Sequence, residues 1–245
     1  MREDIGRAPD ELIYSLRSVE QFFPHRKVWF VGGQPAGLTP DAKLVHKQEG
    51  NNKWERVKSS YLKICDCAEI SENFFLFNDD FFVLKPPPHP NFINFVDGSL
   101  EHRIRELEKN NGFASNYSKK LSLLAIELRT KHLDTMNFAL HVPILYNKTM
   151  IKKTIAAFPG NFMFRSAYGN YNQVSYMSHK DVKIYDMTTI PGEDWDFVST
   201  TEESFAKGAV GNYIRQLFPD PSYFEGPKVV NSKELYSEEG DIRYG

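Results

Sequence analysis

Phe74-Phe75-Leu76-Phe77-Asn78-Asp79-Asp80-Phe81-Phe82-Val83 is the stretch on which the reading of this chain turns. It is apolar and aromatic and follows the turn-prone Ser71-Glu72-Asn73, the pattern of a buried strand. Two carboxylates and an amide inside it are costly to bury unless they are paired or hold a metal. Successive strand side chains point to opposite faces, so Asp79 and Asp80 cannot both face one apolar layer. The strand is therefore expected to end at Phe77 or Asn78 and to present the acidic pair at its carboxyl edge, where open α/β sheets place ligands. The plain alternative is a strand-to-turn junction in which Asn and Asp cap the turn.

Working outward, a chain of 245 residues can form one large domain or two small ones. With 25% charged residues and a formal net charge of −2, no global basic field recruits nucleic acid. The nineteen Phe and twelve Tyr suggest an α/β core with an aromatic-lined cleft. Cys65 and Cys67 are too close for an ordinary disulfide and lack the Cys or His partners of a zinc site, which fits a reducing compartment. No apolar run approaches a membrane span, and Met1-Arg2-Glu3-Asp4 does not open a signal peptide. A cytoplasmic protein is expected.

Pro9, Asp10 and Glu11 open a helix with the stripe Leu12, Leu16, Val19 and Phe23, stopped by Pro24. Strands over residues 27–31 and 43–46 follow, then a helix over 53–68 and the acidic strand; this order implies an α/β sheet. Lys85-Pro86-Pro87-Pro88-His89-Pro90 reads as a surface loop or a lid beside the acidic pair. Helices are expected over 100–109 and 116–132, broken at Gly112, and over 148–158. Strands are expected over 182–185 and 195–198. Ser199-Thr200-Thr201-Glu202-Glu203 caps a helix running to Phe218. The expected organisation is one domain over 1–225 and a charged tail over 226–245.

Three features stand out: Asn78-Asp79-Asp80, His141 between Leu140 and Val142-Pro143, and Arg165 in Phe164-Arg165-Ser166. Each alone has a dull account, since a lone His in apolar company usually sits satisfied in a core and an Arg beside aromatics usually stacks. Together with their flanks they resemble a family. Glu11-Leu12-Ile13-Tyr14-Ser15-Leu16-Arg17-Ser18-Val19-Glu20, then Val28-Trp29-Phe30-Val31-Gly32-Gly33-Gln34-Pro35 and the Asn-Asp-Asp strand, resemble the second block of Stealth-type sugar-phosphate transferases. His141-Val142-Pro143 and Arg165-Ser166 are similar to the third block, and Phe218-Pro219-Asp220-Pro221-Ser222-Tyr223-Phe224-Glu225 to the fourth. The resemblance covers most of the chain in order and extends to short phage-encoded glycosyltransferases.

That resemblance implies an α/β, GT-A-like nucleotide-diphospho-sugar transferase fold, a central mixed sheet flanked by helices. It implies metal-dependent transfer of a sugar 1-phosphate, or a sugar, from a nucleotide-sugar donor (a UDP-sugar) to a hydroxyl of a glycan acceptor. Asp80 would hold Mg²⁺ or Mn²⁺ with Asp79 oriented beside it or on the ribose, and Asn78 would bond sugar or nucleobase. Arg165 would offer a bidentate fork to the phosphoryl group, and His141 would deprotonate the acceptor. Arg17 would reach the diphosphate or pair with Glu20. The family's first block, a strand that helps to hold the donor, would precede Arg7. The fourth block's Asn-Asp is replaced by Ser199-Thr200-Thr201-Glu202, so Glu202 is the acid expected there. Two other readings stay open: a phage glycosyltransferase modifying nucleic-acid bases, with Lys119, Lys120, Arg129, Lys131, Lys152 and Lys153 on its acceptor side, and an eroded, non-catalytic sugar-nucleotide-binding module.

Overall fold

A computed structural model describes residues 10–33, 35–86, 94–111, 115–160 and 163–226. Pro9, the prolines at 87, 88 and 90 with His89, the break at Gly112, and residues 227–245 of the tail lie outside them. The chain begins with α1 (Asp10–Phe22), β1 (Trp29–Val31), β2 (Ala42–Leu44) and α2 (Lys53–Asp66). It continues through β3 (Asn73–Leu76), β4 (Phe81–Val83), β5 (Asn94–Val96), α3 (Leu100–Asn111), α4 (Asn116–Thr130) and β6 (Ile144–Asn147). Then come α5 (Lys148–Ala157), α6 (Phe164–Tyr171), β7 (Tyr176–Ser178), β8 (Lys183–Ile184), β9 (Phe197–Thr200), α7 (Glu202–Lys207) and α8 (Ala209–Leu217). Among the described residues no helix is long and apolar enough to cross a membrane.

The protein is mixed α/β, as expected, but its described strands form four small sheets instead of one central one. β1 pairs with β2 and β5 with β7 in parallel, β3 pairs with β6 antiparallel, and β4, β9 and β8 form a three-stranded sheet. Strands of two to four residues cannot carry a long common ladder. The aromatic stretch itself is cut in two. Asp79 and Asp80 occupy a turn, closed by the Phe81 N–H donating to the Asn78 carbonyl at 3.3 Å. β3 before the turn and β4 after it pair into different sheets.

The chain divides into two compact units. The first comprises Met1–Lys47, Asn78–Pro90 and Lys183–Gly245. Its core gathers Phe82, Leu84, Ile184, Val198, Phe205, Val210, Ile214 and Phe218, with Phe82 and Phe205 stacked at 5.6 Å. Two buried serines sew α1 to β4: Ser15 Oγ donates to the Phe81 carbonyl at 2.6 Å, and Ser18 Oγ accepts from the Val83 N–H at 3.0 Å. The long C-terminal helix expected from the sequence is two helices, with Gly208 ending α7 and preceding α8.

The second unit comprises Gln48–Phe77 and Asn91–Val182. α2 begins at Asn52, whose side chain accepts from the Trp54 and Glu55 N–H groups, a cap the sequence places immediately before the apolar stripe. Its core packs Leu100, Leu121, Leu124, Ala125, Leu128, Phe158, Met163 and Ala167. Cys65 is buried on α2 and Cys67 caps its end; both are free thiols. Burial pushes the Cys65 thiol up to about 11, which makes it an inert core residue.

Candidate functional site

The acidic turn lies in the first unit, and sheet register explains its surroundings. Phe81 of β4 and Lys183 of β8 both stand opposite Ser199 of the central strand β9. Asp80, one residue before Phe81, therefore meets both side chains. Its Oδ2 accepts from Lys183 Nζ at 2.6 Å and from Ser199 Oγ at 2.9 Å. Only 15% of each of the Asp80 and Lys183 side chains is exposed, so this pair is largely desolvated. The Asp80 carbonyl also accepts from the Thr200 N–H, at 3.4 Å. Asn78 and Asp79 are exposed.

Glu11 joins this group, and the sequence reading missed it. It lies on the α1 face that bears Ser15 and Ser18, at positions i, i+4 and i+7, and it accepts from buried Thr200 Oγ1 at 2.7 Å. Burial pushes its carboxyl above the ordinary carboxylate range. Thr200 opposes that rise, Asp80 and Asp79 add to it, and Lys183 opposes it. The signal was a Glu at the head of a helix whose stripe packs on the core; it read as an ordinary partner for the helix dipole.

The donor atoms here are all hard oxygens, which suit Mg²⁺ or Mn²⁺ and no soft metal. Among the described residues, no group of three or more His, Cys, Asp or Glu is placed to hold a metal ion. Asp80 Oδ2 is already engaged by Lys183 and Ser199, so any ion here would meet one or two carboxylates at most and complete its shell with other oxygens.

His141 and Arg165 lie in the second unit. Residues 137–143 lie in no strand; Asn137 bonds by main chain to Asp97 and Gly98, and side chains of α6 meet part of the rest. Asn170 accepts from the Met136 N–H and donates to the Met136 carbonyl, both at 2.8 Å, and Ser166 Oγ accepts from the Phe138 N–H at 3.1 Å. Arg165 Nη1 donates to the carbonyls of Leu140 at 2.6 Å and Val142 at 2.8 Å. Gly169 makes room for this grip: a Cβ there would lie 2.5 Å from the Phe138 ring. Arg165 was expected to offer a phosphate fork; one of its two terminal nitrogens instead brackets His141. The His141 ring Nδ1 lies 2.8 and 3.0 Å from the two carboxylate oxygens of Asp181, whose Oδ1 also accepts from the His141 N–H at 3.0 Å. Burial pushes the Asp181 carboxyl up, but these bonds and the His141 and Arg103 charges outweigh it and leave the group below the usual range.

Two expected residues do other work. Arg17 pairs with Glu225 instead of Glu20. Its Nε and Nη2 hold the two oxygens of Glu225 at 2.7 Å each, and Nη1 donates to the carbonyls of Phe218 and Pro219. A planar fork finds a better match in a carboxylate carried by the folded-back 218–225 segment than in a neighbour one helical turn away. Glu202 is exposed in the first turn of α7 behind the Thr201 cap, the ordinary place for an acid at a helix start. The acid near Asp80 is Glu11. The basic residues weighed for nucleic acid are largely engaged: Lys152 pairs with Asp66, Arg129 with Glu101, and Lys120 and Lys131 lie over the Trp54 and Phe158 rings.

No family model matches the chain. It is similar to a protein named capsular polysaccharide phosphotransferase LcbA from Aeromonas hydrophila, 31% identical over 147 residues. The match covers 56% of this chain and 37% of that protein, and it suggests a Stealth-like family and a transferase.

Proposed function

We propose that the chain transfers a sugar 1-phosphate from a nucleotide-sugar, a UDP-sugar by preference, to a hydroxyl of a glycan, within a GT-A-like domain. The observation that carries this reading is Asp80: a largely desolvated carboxylate in a turn, bonded to Lys183 and Ser199 and near enough to Glu11 to help raise its carboxyl. The name of the A. hydrophila relative supports the reaction class.

Asp80 and Asp79 would hold Mg²⁺ or Mn²⁺, which supplies charge neutralisation for the donor diphosphate when bound. Lys183 and Ser199 fix the Asp80 carboxylate, and the Lys183 ammonium adds a positive charge beside it. Asn78, exposed next to the pair, is the contact for the sugar or base. His141 Nε2 is the base that would take the acceptor proton, and in the reaction the acceptor oxygen bonds to the β-phosphorus. The bridging P–O bond breaks, and its electron pair leaves with the nucleoside monophosphate. Arg165 keeps the histidine segment in place for that step.

Thermal unfolding in UDP with Mg²⁺ or Mn²⁺ tests the donor half: a rise in Tm is expected for the native protein and none for Asp80→Asn. No rise with any nucleotide-sugar and either metal would overturn the reading. Product analysis tests the reaction: UMP release is expected for phosphoryl transfer, whereas UDP release would mean simple glycosyl transfer.

A further inference from the structure

We infer that Asp181 is a positioning residue that holds His141 as the Nδ1–H tautomer and leaves the lone pair on Nε2. The inference deepens the reading above, in which His141 is the base, and rests on it for its catalytic consequence.

The argument begins with what each atom can do. An ionised carboxylate only accepts hydrogen bonds, and both Asp181 oxygens lie within 3.0 Å of His141 Nδ1. A neutral imidazole carries one N–H, so that hydrogen belongs on Nδ1 and the basic nitrogen is Nε2. The same carboxylate accepts from the His141 backbone N–H, so ring and main chain are fixed from one side by one group. Asp181 is itself tethered, its N–H donating to Asp97 Oδ2 at 3.3 Å. Charged groups stand around the pair: Asp97 behind Asp181, Arg103 whose charge favours the ionised carboxylate, and Arg165 on the carbonyls either side of His141. The His141 side chain is 30% exposed, so its ring can meet an acceptor hydroxyl while its Nδ1 edge stays held.

Nothing in the sequence flags Asp181, which lies forty positions from His141 in Lys180-Asp181-Val182. An orienting acceptor behind a basic imidazole matters because an imidazole in the wrong tautomer presents a donor where catalysis needs an acceptor.

The test combines ¹⁵N NMR of the histidine rings in the full chain with steady-state kinetics. In the native protein the neutral form of the His141 ring is expected to show Nδ1 protonated and Nε2 bare; the reverse tautomer would overturn the proposal without any variant being made. In Asp181→Asn, whose amide can donate as well as accept, mixed tautomers are expected, with kcat lowered about 10²- to 10⁴-fold and KM within about twofold. Unchanged tautomer and unchanged kcat in that variant would also overturn it. The expected NMR pattern in a protein that turns over no nucleotide-sugar would support the positioning role and sink the transferase reading, so the two fail separately.

Discussion

Asp80 in the first unit is held by side chains that strand register delivers, whereas the His141 segment in the second is held largely through its main chain, by side chains of α6 and by Asp181. Around Asp80, β9 stands between β4 and β8, and Ser199 and Lys183 arrive as registered neighbours. Around His141, Arg165, Ser166 and Asn170 of α6 reach peptide groups of Met136, Phe138, Leu140 and Val142, which lie outside the named strands. The first device is charge against charge; the second is side chain against main chain. The difference matters because a charge can be neutralised together with its partner, whereas a peptide carbonyl cannot be removed.

The largest effect should appear in the first region. Lys183→Met leaves Asp80 desolvated without its cation and should cost about 3 kcal/mol in urea unfolding. Adding Asp80→Asn should restore most of that loss, because the neutral amide no longer needs the ammonium. Failure of the double variant to recover would mean that Lys183 packs instead of pairing. The second region should show no such rescue. Arg165→Met leaves the Leu140 and Val142 carbonyls without their charged donor and should cost about 2 kcal/mol. Arg165→Lys should regain only part of this, since an ammonium cannot reproduce the planar nitrogen that meets both carbonyls. Full recovery with Lys would erase the contrast between the two regions.

How much of this was legible in the sequence follows the same division. The end of the aromatic strand just before Asp79-Asp80 could be read locally, because burying adjacent charges is costly and two neighbours cannot share a face; the turn that follows was only the plainer of two readings. Helix limits near 53, 116 and 148 could be read too, from apolar periodicity; the structure shows Asn52 and Ser115 capping the first two. Lys183, Glu11 and Asp181 could not. Each is brought to its partner by pairing across 40 to 189 positions, and nothing in its neighbours predicts the encounter. The single central sheet was inferred from the order of elements, which does not show how short the strands are. Arg17 was read against its helical neighbour Glu20, but a guanidinium selects the best carboxylate in space.

A smaller effect separates the two regions by pH. The Asp181 carboxyl is held below its ordinary value of 3.8 in the fold, so the pair stabilises the protein above that pH. That contribution is lost as pH falls from 3.8 through the lower folded value. Asp181→Asn should therefore be less stable than the native protein at neutral pH, with the gap closing in acid below about pH 4. Circular dichroism melts across that range give the comparison, and a gap independent of pH would mean that the carboxylate contributes only shape.

Glu11 should behave with the opposite sign, and by the smallest amount. Its carboxyl is raised above its ordinary value of 4.5, so the folded state holds the proton more tightly than the unfolded chain does. The stability this provides is complete below 4.5 and is lost as pH rises through the folded value, which leaves an ionised Glu11 as a net cost at neutral pH. Glu11→Gln keeps an oxygen for the Thr200 hydroxyl and removes the charge that Asp79 and Asp80 oppose. Its Tm should exceed the native value at pH 7 and match it near pH 4, while the rise in Tm given by UDP with Mg²⁺ shrinks. A residue that destabilises its own fold at working pH and strengthens ligand binding is retained for the ligand. Should Glu11→Gln instead lower Tm equally at both pH values and leave the ligand response intact, Glu11 is a structural acceptor for Thr200, and the acidic group around Asp80 loses its third member.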